Sequence, residues 1–314
     1  MSRVFNVERN VHLLMISSDN NEIGGFYQNG SVRWSQIEDW MRTVYSTSSL
    51  LYAVFPCSEE GDPQDPAAKH APAINMSHNE NIVAEGYYVL LSPTDTSVHT
   101  PGGAITVEST HDDAIPRSVS RTIRTGSDPR LTDFRDRVRQ RDGKCVVSGF
   151  NATQTFTGFQ AAHIFPLAHL DMWGSWSRLI QDEHPNIGRT KIHSVQNGIL
   201  LLSHIHAQFD KYEIAINPDN GYRVTCFVRD EFGIDGRIMF RNDSFPAENQ
   251  PLRALLKYHF RSAVLCNMKG RGPLYDWDED IPPGSDEVAE IIKSEGGKTR
   301  FELEMASRLN YQRA

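Results

Sequence analysis

Short apolar runs in the first third of the chain predict β-structure. Runs at residues 11–16, 50–55 and 82–91 are rich in Val, Leu, Tyr and Phe and end at polar or turn-forming positions. Residues 104–108 predict a further short strand. Such runs, bounded by Gly, Asn and Pro, are typical of strands rather than of amphipathic helices. The pattern therefore predicts a β-rich N-terminal region.

Beyond residue 128 the pattern includes clear helical signals. Asp128 is a good N-cap, Pro129 fits the first helical position, and Gly143 provides a stop, so a helix is predicted between them. Residues 252–269 also carry apolar side chains at helical spacing. Between these helices we predict a strand at 159–163, a strand at 198–202, a short helix with Ser203 as its N-cap, and a hairpin around residues 218–221.

These elements together predict an α+β protein with a compact ββα core, flanking helices and an N-terminal β-rich domain. The predicted domains are 1–113 for the β-rich part, 114–128 for a linker, 129–230 for the ββα-containing domain and 231–314 for a helical extension packed on it. Two further helices are predicted near residues 285–294 and 299–308.

Composition is ordinary for a globular protein, with 39% hydrophobic and 23% charged residues. No stretch of about 18 apolar residues predicts a membrane span, and the N-terminus lacks an apolar signal-peptide core. We therefore expect an intracellular protein, cytoplasmic or nuclear, without membrane association. The four cysteines are scattered and form no CxxC pair, so a disulfide scaffold is not indicated.

Four polar residues in the ββα region form a candidate catalytic group. His163 ends the first predicted strand, and Asn197 directly precedes the second. His206 and Asp210 lie four residues apart on the predicted short helix, so that their side chains share one face. A neutral imidazole suits a general base, and an imidazole with a carboxylate could hold one divalent cation. This set predicts metal-assisted hydrolysis of a phosphodiester.

The same segment resembles the HNH (ββα-metal) nuclease family. The resemblance depends on an AHIFP block, an Asn-Gly dipeptide, a His nine residues after that Asn, and Phe-Asp three and four residues after that His. The combination AAHI…NG…HxxFD is similar to a branch common among fungal proteins. The resemblance implies His163 as the general base, Asn197 as a loop brace or metal contact, and His206 with Asp210 as ligands of Mg²⁺ or Mn²⁺. It also implies a nucleic acid substrate, DNA rather than RNA.

Two departures from the family are visible. Many relatives carry a structural zinc held by two CxxC pairs, whereas residues 145–148 read CVVS and residues 203–206 read SHIH. We therefore expect no structural zinc, and we expect Cys145 to be a buried residue in a tight turn that ends at Gly149. Many relatives also have a metal-ligating Asp or His before the base, where this chain has Ala162.

Substrate contacts are predicted at arginine and tryptophan side chains. Arg135, Arg139 and Arg141 on the helix after residue 128 could bind phosphates, while Trp173 and Arg178 in the long insertion before Asn197 could stack on bases. The simpler alternatives are a solvated, ion-paired helix and tryptophans that pin the insertion to the body of the domain.

Charge gives weak support for nucleic acid binding. The whole chain has a net charge of −8, but residues 121–230 contain 14 Lys and Arg against 11 Asp and Glu, a local charge of +3. Two other functions stay open: a binding or regulatory protein that has lost catalysis, and an enzyme that uses the His and metal site on a small molecule. A protein partner could bind the N-terminal domain, and the sequence leaves the oligomeric state undetermined.

Overall fold

The protein, represented by a computed structural model, contains two compact units. The structure describes residues 9–15, 22–45, 53–57, 72–93, 101–104 and 129–268. The first unit comprises the described residues within 1–114, 225–236 and 261–273, and the second comprises those within 115–224, 237–260 and 274–314. The predicted linker at 114–128 and the two predicted C-terminal helices lie outside the described residues.

The first unit is built on a five-stranded sheet, which confirms the β-rich N-terminal region. The strands are β1 (Val11–Met15), β2 (Glu22–Phe26), β3 (Ala53–Cys57), β4 (Gly86–Pro93) and β5 (Pro101–Ala104). The sheet order is β2-β1-β4-β3, with β5 also pairing with β4. Strands β1 and β4 are parallel, and the other pairs are antiparallel.

The first unit also contains a helix that the sequence interpretation missed. Helix α1 (Trp34–Val44) buries residues at positions 34, 37, 40, 41 and 44, an apolar stripe with helical spacing. The Trp40 ring packs edge-on against Phe26 of β2, with ring centroids 5.5 Å apart. Burial of this stripe explains why the segment is helical although its neighbours are strands.

Residues 225–236 pack with the first unit, although the predicted domain boundary placed 225–230 in the ββα domain. The Asn29 side chain donates hydrogen bonds to the backbone oxygens of Cys226 (3.1 Å) and Val228 (2.9 Å). The Phe227 ring lies 5.3 Å from Trp40 of α1. These contacts are long-range in sequence, which is why local patterns did not predict them.

The second unit contains the predicted ββα arrangement. Its elements are α2 (Pro129–Asp142), β6 (Phe159–His163), β7 (Gly198–Leu202), α3 (Ser203–Asp210), β8 (Ile214–Asn217) and the start of β9 (Arg223–Cys226), followed by the first half of α4 (Arg253–Met268). Three 3₁₀ segments, at Leu167–Leu179, Pro185–Ile187 and Val195–Asn197, lie between β6 and β7. The α+β class is therefore confirmed.

The predicted boundaries agree closely with these elements. Helix α2 begins at Pro129 and ends before Gly143, whose φ of +62° fits a helix stop. Helix α3 begins at Ser203, and the preceding Leu202 is its N-cap, one residue earlier than predicted. Within the described residues, no helix is long and apolar enough to cross a membrane.

Candidate functional site

Strands β6 and β7 bring the candidate base and the Asn-Gly dipeptide together. The two strands pair antiparallel, and His163 at the end of β6 lies opposite Gly198 at the start of β7. The backbone N–H of Ile164 donates to the backbone oxygen of Asn197 at 2.9 Å. Helix α3 follows β7 directly, so that His206 and Asp210 lie next to the same pair of strands.

Gly198 is required by close packing rather than by backbone conformation. A Cβ atom at this position would lie 2.6 Å from Cε2 of Phe134 and 2.7 Å from Cγ2 of Val138, both on α2. The absence of a side chain lets α2 approach β7 closely. The Phe134 ring stacks on the His163 imidazole, with centroids 4.1 Å apart and planes 10° apart. Gly198 thus permits the contact that fixes one face of the candidate base.

The His163 imidazole is partly buried and electrically neutral at neutral pH. Burial lowers the pKa of His163 well below its ordinary value, and the nearby His193 and His206 imidazoles lower it further. Its Nε2 lies 3.3 Å from Nδ1 of His193. A neutral imidazole retains one unprotonated nitrogen, which is the state that a general base requires.

Asn197 is completely buried and braces the backbone around His163. Its Oδ1 accepts from the N–H of Phe165 at 2.8 Å, and its Nδ2 donates to the oxygens of Phe165 (3.2 Å) and Ile192 (3.0 Å). Both amide protons are therefore used by backbone acceptors. This geometry favours the loop-bracing role over the alternative in which Asn197 contacts a metal.

The candidate metal pair lies on one face of α3, as the four-residue spacing predicts. The Nε2 of His206 is 3.2 Å from Oδ2 of Asp210, and both side chains are about one-eighth exposed, at 13% and 12%. The Nδ1 of His206 is 2.5 Å from Oε1 of Gln160 on β6. With the Gln160 amide oxygen as the acceptor, the protonated nitrogen of His206 is Nδ1, and in this tautomer the Nε2 lone pair faces Asp210.

This arrangement fits a divalent cation. Two acceptors, the Nε2 lone pair and the Asp210 carboxylate, face each other at 3.2 Å, and a positive charge between them would relieve their repulsion. Gln160 lies where partners of metal-ligating histidines commonly lie, at the ring nitrogen that does not face the cation. Among the described residues, no group of three or more His, Cys, Asp or Glu side chains could hold a metal ion. Water and substrate oxygens would have to complete the coordination shell.

Ala162 lies in the core and cannot contribute to such a site. Its side chain is fully buried at the position opposite Ile199 of β7. Cys145 is also fully buried, as predicted, in a turn closed by the bond from Gly149 N–H to Cys145 O at 2.9 Å. Gly149 has a φ of +77°, a conformation that favours glycine.

The structure corrects one of the three predicted phosphate contacts on α2. Arg141 is only 1% exposed and forms two ion-pair bonds with Asp142, at 2.6 and 2.8 Å. Its remaining donors bind backbone oxygens of Val195, Gly198 and Asn249 at 2.7–3.0 Å. Arg141 cannot bind substrate phosphate, because every guanidinium nitrogen is already engaged in the interior.

The other two predicted phosphate contacts on α2 are accessible to different degrees. Arg135 is exposed, with Nε 2.9 Å from the Asp136 carboxylate. Arg139 is partly buried, and its guanidinium lies over the Phe156 ring at 4.8 Å. Phosphate contact by these two side chains stays a prediction.

The two residues predicted in the insertion differ in the same way. Trp173 is only 2% exposed, its Nε1–H donates to Thr190 O at 2.6 Å, and its ring packs on Phe165. It pins the insertion to the domain and is not accessible for base stacking, which corrects the substrate-binding assignment. Arg178 is exposed, and its predicted contact with nucleic acid stays a prediction.

Three residues that the sequence interpretation did not assign contact the candidate group. They are Gln160, which bonds His206, Phe134, which stacks on His163, and His193, which meets the same imidazole. Phe134 and Val138 lie four residues apart on α2, and this apolar spacing marks the helix face that packs on the strands. We find no sequence signal for Gln160 or His193.

The structure brings the candidate base, on β6, and the His/Asp pair, on α3, into one ββα arrangement. Residues of these types are suited to metal-assisted hydrolysis of phosphodiesters. Residues 145–217 match the family model described as HNH endonuclease, which confirms the predicted resemblance over this segment. No curated protein and no solved structure matches the chain. The finer assignment to a fungal branch stays a prediction.

Proposed function

We propose that the protein is a metal-dependent endonuclease that hydrolyses phosphodiester bonds, with DNA rather than RNA as its substrate. The observation that carries this proposal is the ββα arrangement of the segment that matches HNH endonucleases, in which His163 ends β6 and the His206/Asp210 pair lies on helix α3, which contacts β6 and β7. The exposed Arg135 and Arg178 side chains are available for phosphate contacts.

In this proposal His163 removes the proton from the water molecule that attacks phosphorus, the bond from phosphorus to the leaving 3′-oxygen breaks, and that oxygen takes up a proton from water. Its Nε2 faces His193, so Nδ1 is the nitrogen that accepts the proton. Stacking on Phe134 and the Asn197 brace hold the imidazole in place, so that little reorganisation is needed in the transition state. His206 and Asp210 would hold Mg²⁺ or Mn²⁺, which when bound stabilises negative charge on the phosphate oxygens.

Cleavage of supercoiled plasmid tests the proposal. The purified protein is expected to nick the plasmid in the presence of Mn²⁺ or Mg²⁺ and to stop when EDTA is added. Mn²⁺ is expected to support the higher rate, because it tolerates an imidazole ligand better than Mg²⁺ does. A preparation that leaves DNA and RNA intact with either ion would contradict the proposed activity.

A second candidate is a protein that binds nucleic acid at this site without cleaving it. The buried Ala162 favours it, because the position before the base supplies no metal ligand. Binding of a labelled DNA duplex at low salt, with no product in the plasmid assay under any metal condition, would favour this alternative over the nuclease.

We expect the Asp210→Ala variant to need about 10–100-fold more metal for half-maximal cleavage, the usual effect of damage to a metal site's shell. The physical reason is the loss of one of the two protein ligands proposed for the ion, the Asp210 carboxylate that lies 3.2 Å from His206. Titrating wild type and variant with Mn²⁺ on the same substrate measures this shift, while DNA binding without metal should stay unchanged.

Asp219→Ala is the matched control, because Asp219 is an exposed carboxylate of the same unit that pairs with Lys257 at 2.7 Å. Its metal titration should follow that of the wild type. Superimposable curves for Asp210→Ala and the wild type would assign Asp210 to a helix-end role and leave His206 and the substrate to hold the ion.

A further inference from the structure

His193, which comes from the insertion between β6 and β7, meets the candidate base directly. Its side chain is only 1% exposed, and its Nδ1 lies 3.3 Å from Nε2 of His163. The two imidazoles meet at an angle of 68° with centroids 5.4 Å apart. Phe134 touches both rings, stacked on His163 and edge-on to His193 at 6.3 Å. The two histidines thus form a packed pair at the site.

The hydrogen bond between the two rings determines which nitrogen of His163 can act as a base. If His163 carries its proton on Nε2, this N–H donates to His193 Nδ1, and Nδ1 of His163 retains its lone pair for water. If His193 donates instead, His163 must carry its proton on Nδ1 and loses the nitrogen that would act as base. A neutral imidazole is a competent base here in only one of its two tautomers.

The segment on both sides of His193 is anchored firmly. Asp182 accepts from the Ser194 hydroxyl at 2.7 Å and from the Val195 N–H at 3.1 Å, and it pairs with both terminal nitrogens of Arg137 at 2.9 Å. On the other side, Asn197 donates to the oxygen of Ile192, the residue before His193. Asn197 also bonds the backbone of Phe165, two residues after the base.

One buried amide therefore ties together the two chain segments that carry the histidines. Asn197 bonds backbone atoms next to His193 through Ile192 and close to His163 through Phe165. The short distance between the imidazoles is thereby built into the backbone framework as well as into the packing around Phe134. Such support is what a residue needs in order to orient another side chain reproducibly.

We propose that His193 is a positioning residue that accepts the Nε2–H of His163 and so holds the base in the tautomer with Nδ1 unprotonated. The inference deepens the proposed nuclease function and rests on it for its kinetic consequence. The same bond stabilises the imidazolium that forms when His163 takes the proton from water, because His193 Nδ1 then faces a positively charged donor. No atom of His193 needs to touch the substrate.

Two substitutions separate this role from simple packing. His193→Leu keeps an apolar side chain of similar reach but offers no acceptor, and it should lower kcat by about 10–100-fold, as damage to a supporting partner of a site commonly does. The KM should change much less, since His193 contacts no substrate. His193→Asn places an amide oxygen close to the position of Nδ1 and should restore most of kcat.

A measurement without activity tests the tautomer itself. Long-range ¹H–¹⁵N NMR of imidazole nitrogens in the metal-free protein should show His163 protonated on Nε2 in the wild type and in His193→Asn. His193→Leu should show a mixture of both tautomers. His184→Leu is the control, because His184 lies in the same insertion but contacts Asp133 at 3.2 Å rather than the base.

The possible outcomes distinguish failure of the nuclease proposal from failure of the proposed role of His193. If the wild type does not cleave, the nuclease proposal fails, and the NMR tautomer alone then decides whether His193 positions His163. If the wild type cleaves and the His193→Leu variant keeps the wild-type kcat, the positioning role is overturned. It is also overturned if His163 in that variant stays protonated on Nε2 alone. Equal losses of kcat in folded Leu and Asn variants would also overturn it, because the acceptor would then have no effect.

Discussion

Replacing His163 with alanine is expected to lower the rate of DNA cleavage by about 10²–10⁴-fold, the usual contribution of a general acid–base group. The reason is that the variant has no group to accept the proton of the attacking water. DNA binding and the metal requirement should persist, because neither depends on this imidazole in the proposed mechanism. Initial nicking rates at saturating Mn²⁺ measure the effect.

A second variant and a control distinguish loss of catalysis from loss of the fold. His163 stacks on Phe134 at 4.1 Å, so alanine leaves a gap at the packed face, whereas His163→Gln keeps more of the side-chain volume. Both variants should show this loss of cleavage rate and should be folded by circular dichroism. His204→Ala, at an exposed position of α3, should cleave like the wild type. Folded His163 variants that cleave at the wild-type rate would show that the base lies elsewhere.

The local elements of the nuclease-like unit could be predicted because their signals are local. Turn and capping residues marked the ends of α2, and the strand at 198–202 was bounded by Gly198 and Ser203. His206 and Asp210 share a face because helical periodicity requires it. These parts of the fold and site depend on residues no more than about one or two helical turns apart.

Helix α1 and the burial of Arg141 could also have been predicted from the spacing of apolar residues. The stripe at positions 34, 37, 41 and 44 has helical spacing, although it lies between strand-forming runs. Arg141 continues the buried stripe of Phe134 and Val138 at intervals of four and three residues. That spacing places a charged residue on the packed face of α2, where a structural ion pair is the physical expectation.

The contact between His193 and His163 could not be predicted from spacing. It depends on how an insertion of about 30 residues folds back, and on Asp182, Ser194 and Asn197 bonding across that insertion. The same holds for Gln160 and His206, which lie 46 residues apart. Contacts of this kind follow from tertiary packing, and no local pattern in one sequence encodes them.

Replacing Arg141 with leucine is expected to destabilise the second unit by about 3–5 kcal/mol, the usual cost of breaking a buried ion pair. The substitution leaves the Asp142 carboxylate, 5% exposed, with only the 2.9 Å bond from the Leu200 N–H among its present contacts. It also removes the donors to the oxygens of Val195 and Gly198, which lie on either side of Asn197. Urea denaturation followed by circular dichroism measures the change in unfolding free energy.

Arg135→Leu is the matched control, because it removes an exposed arginine from the same helix and should change stability by less than about 0.5–1 kcal/mol. Arg141→Lys should lie between the two, since an ammonium group keeps the charge near Asp142 but cannot reproduce the planar set of bonds from Nε, Nη1 and Nη2. If the Arg141→Leu variant has wild-type stability but binds DNA more weakly, the buried structural role is contradicted and the original prediction of a phosphate contact is supported. In the opposite pattern, the Arg141 substitution lowers stability and the Arg135 substitution weakens salt-dependent DNA binding. That result would assign a structural role to Arg141 and a DNA-contacting role to Arg135.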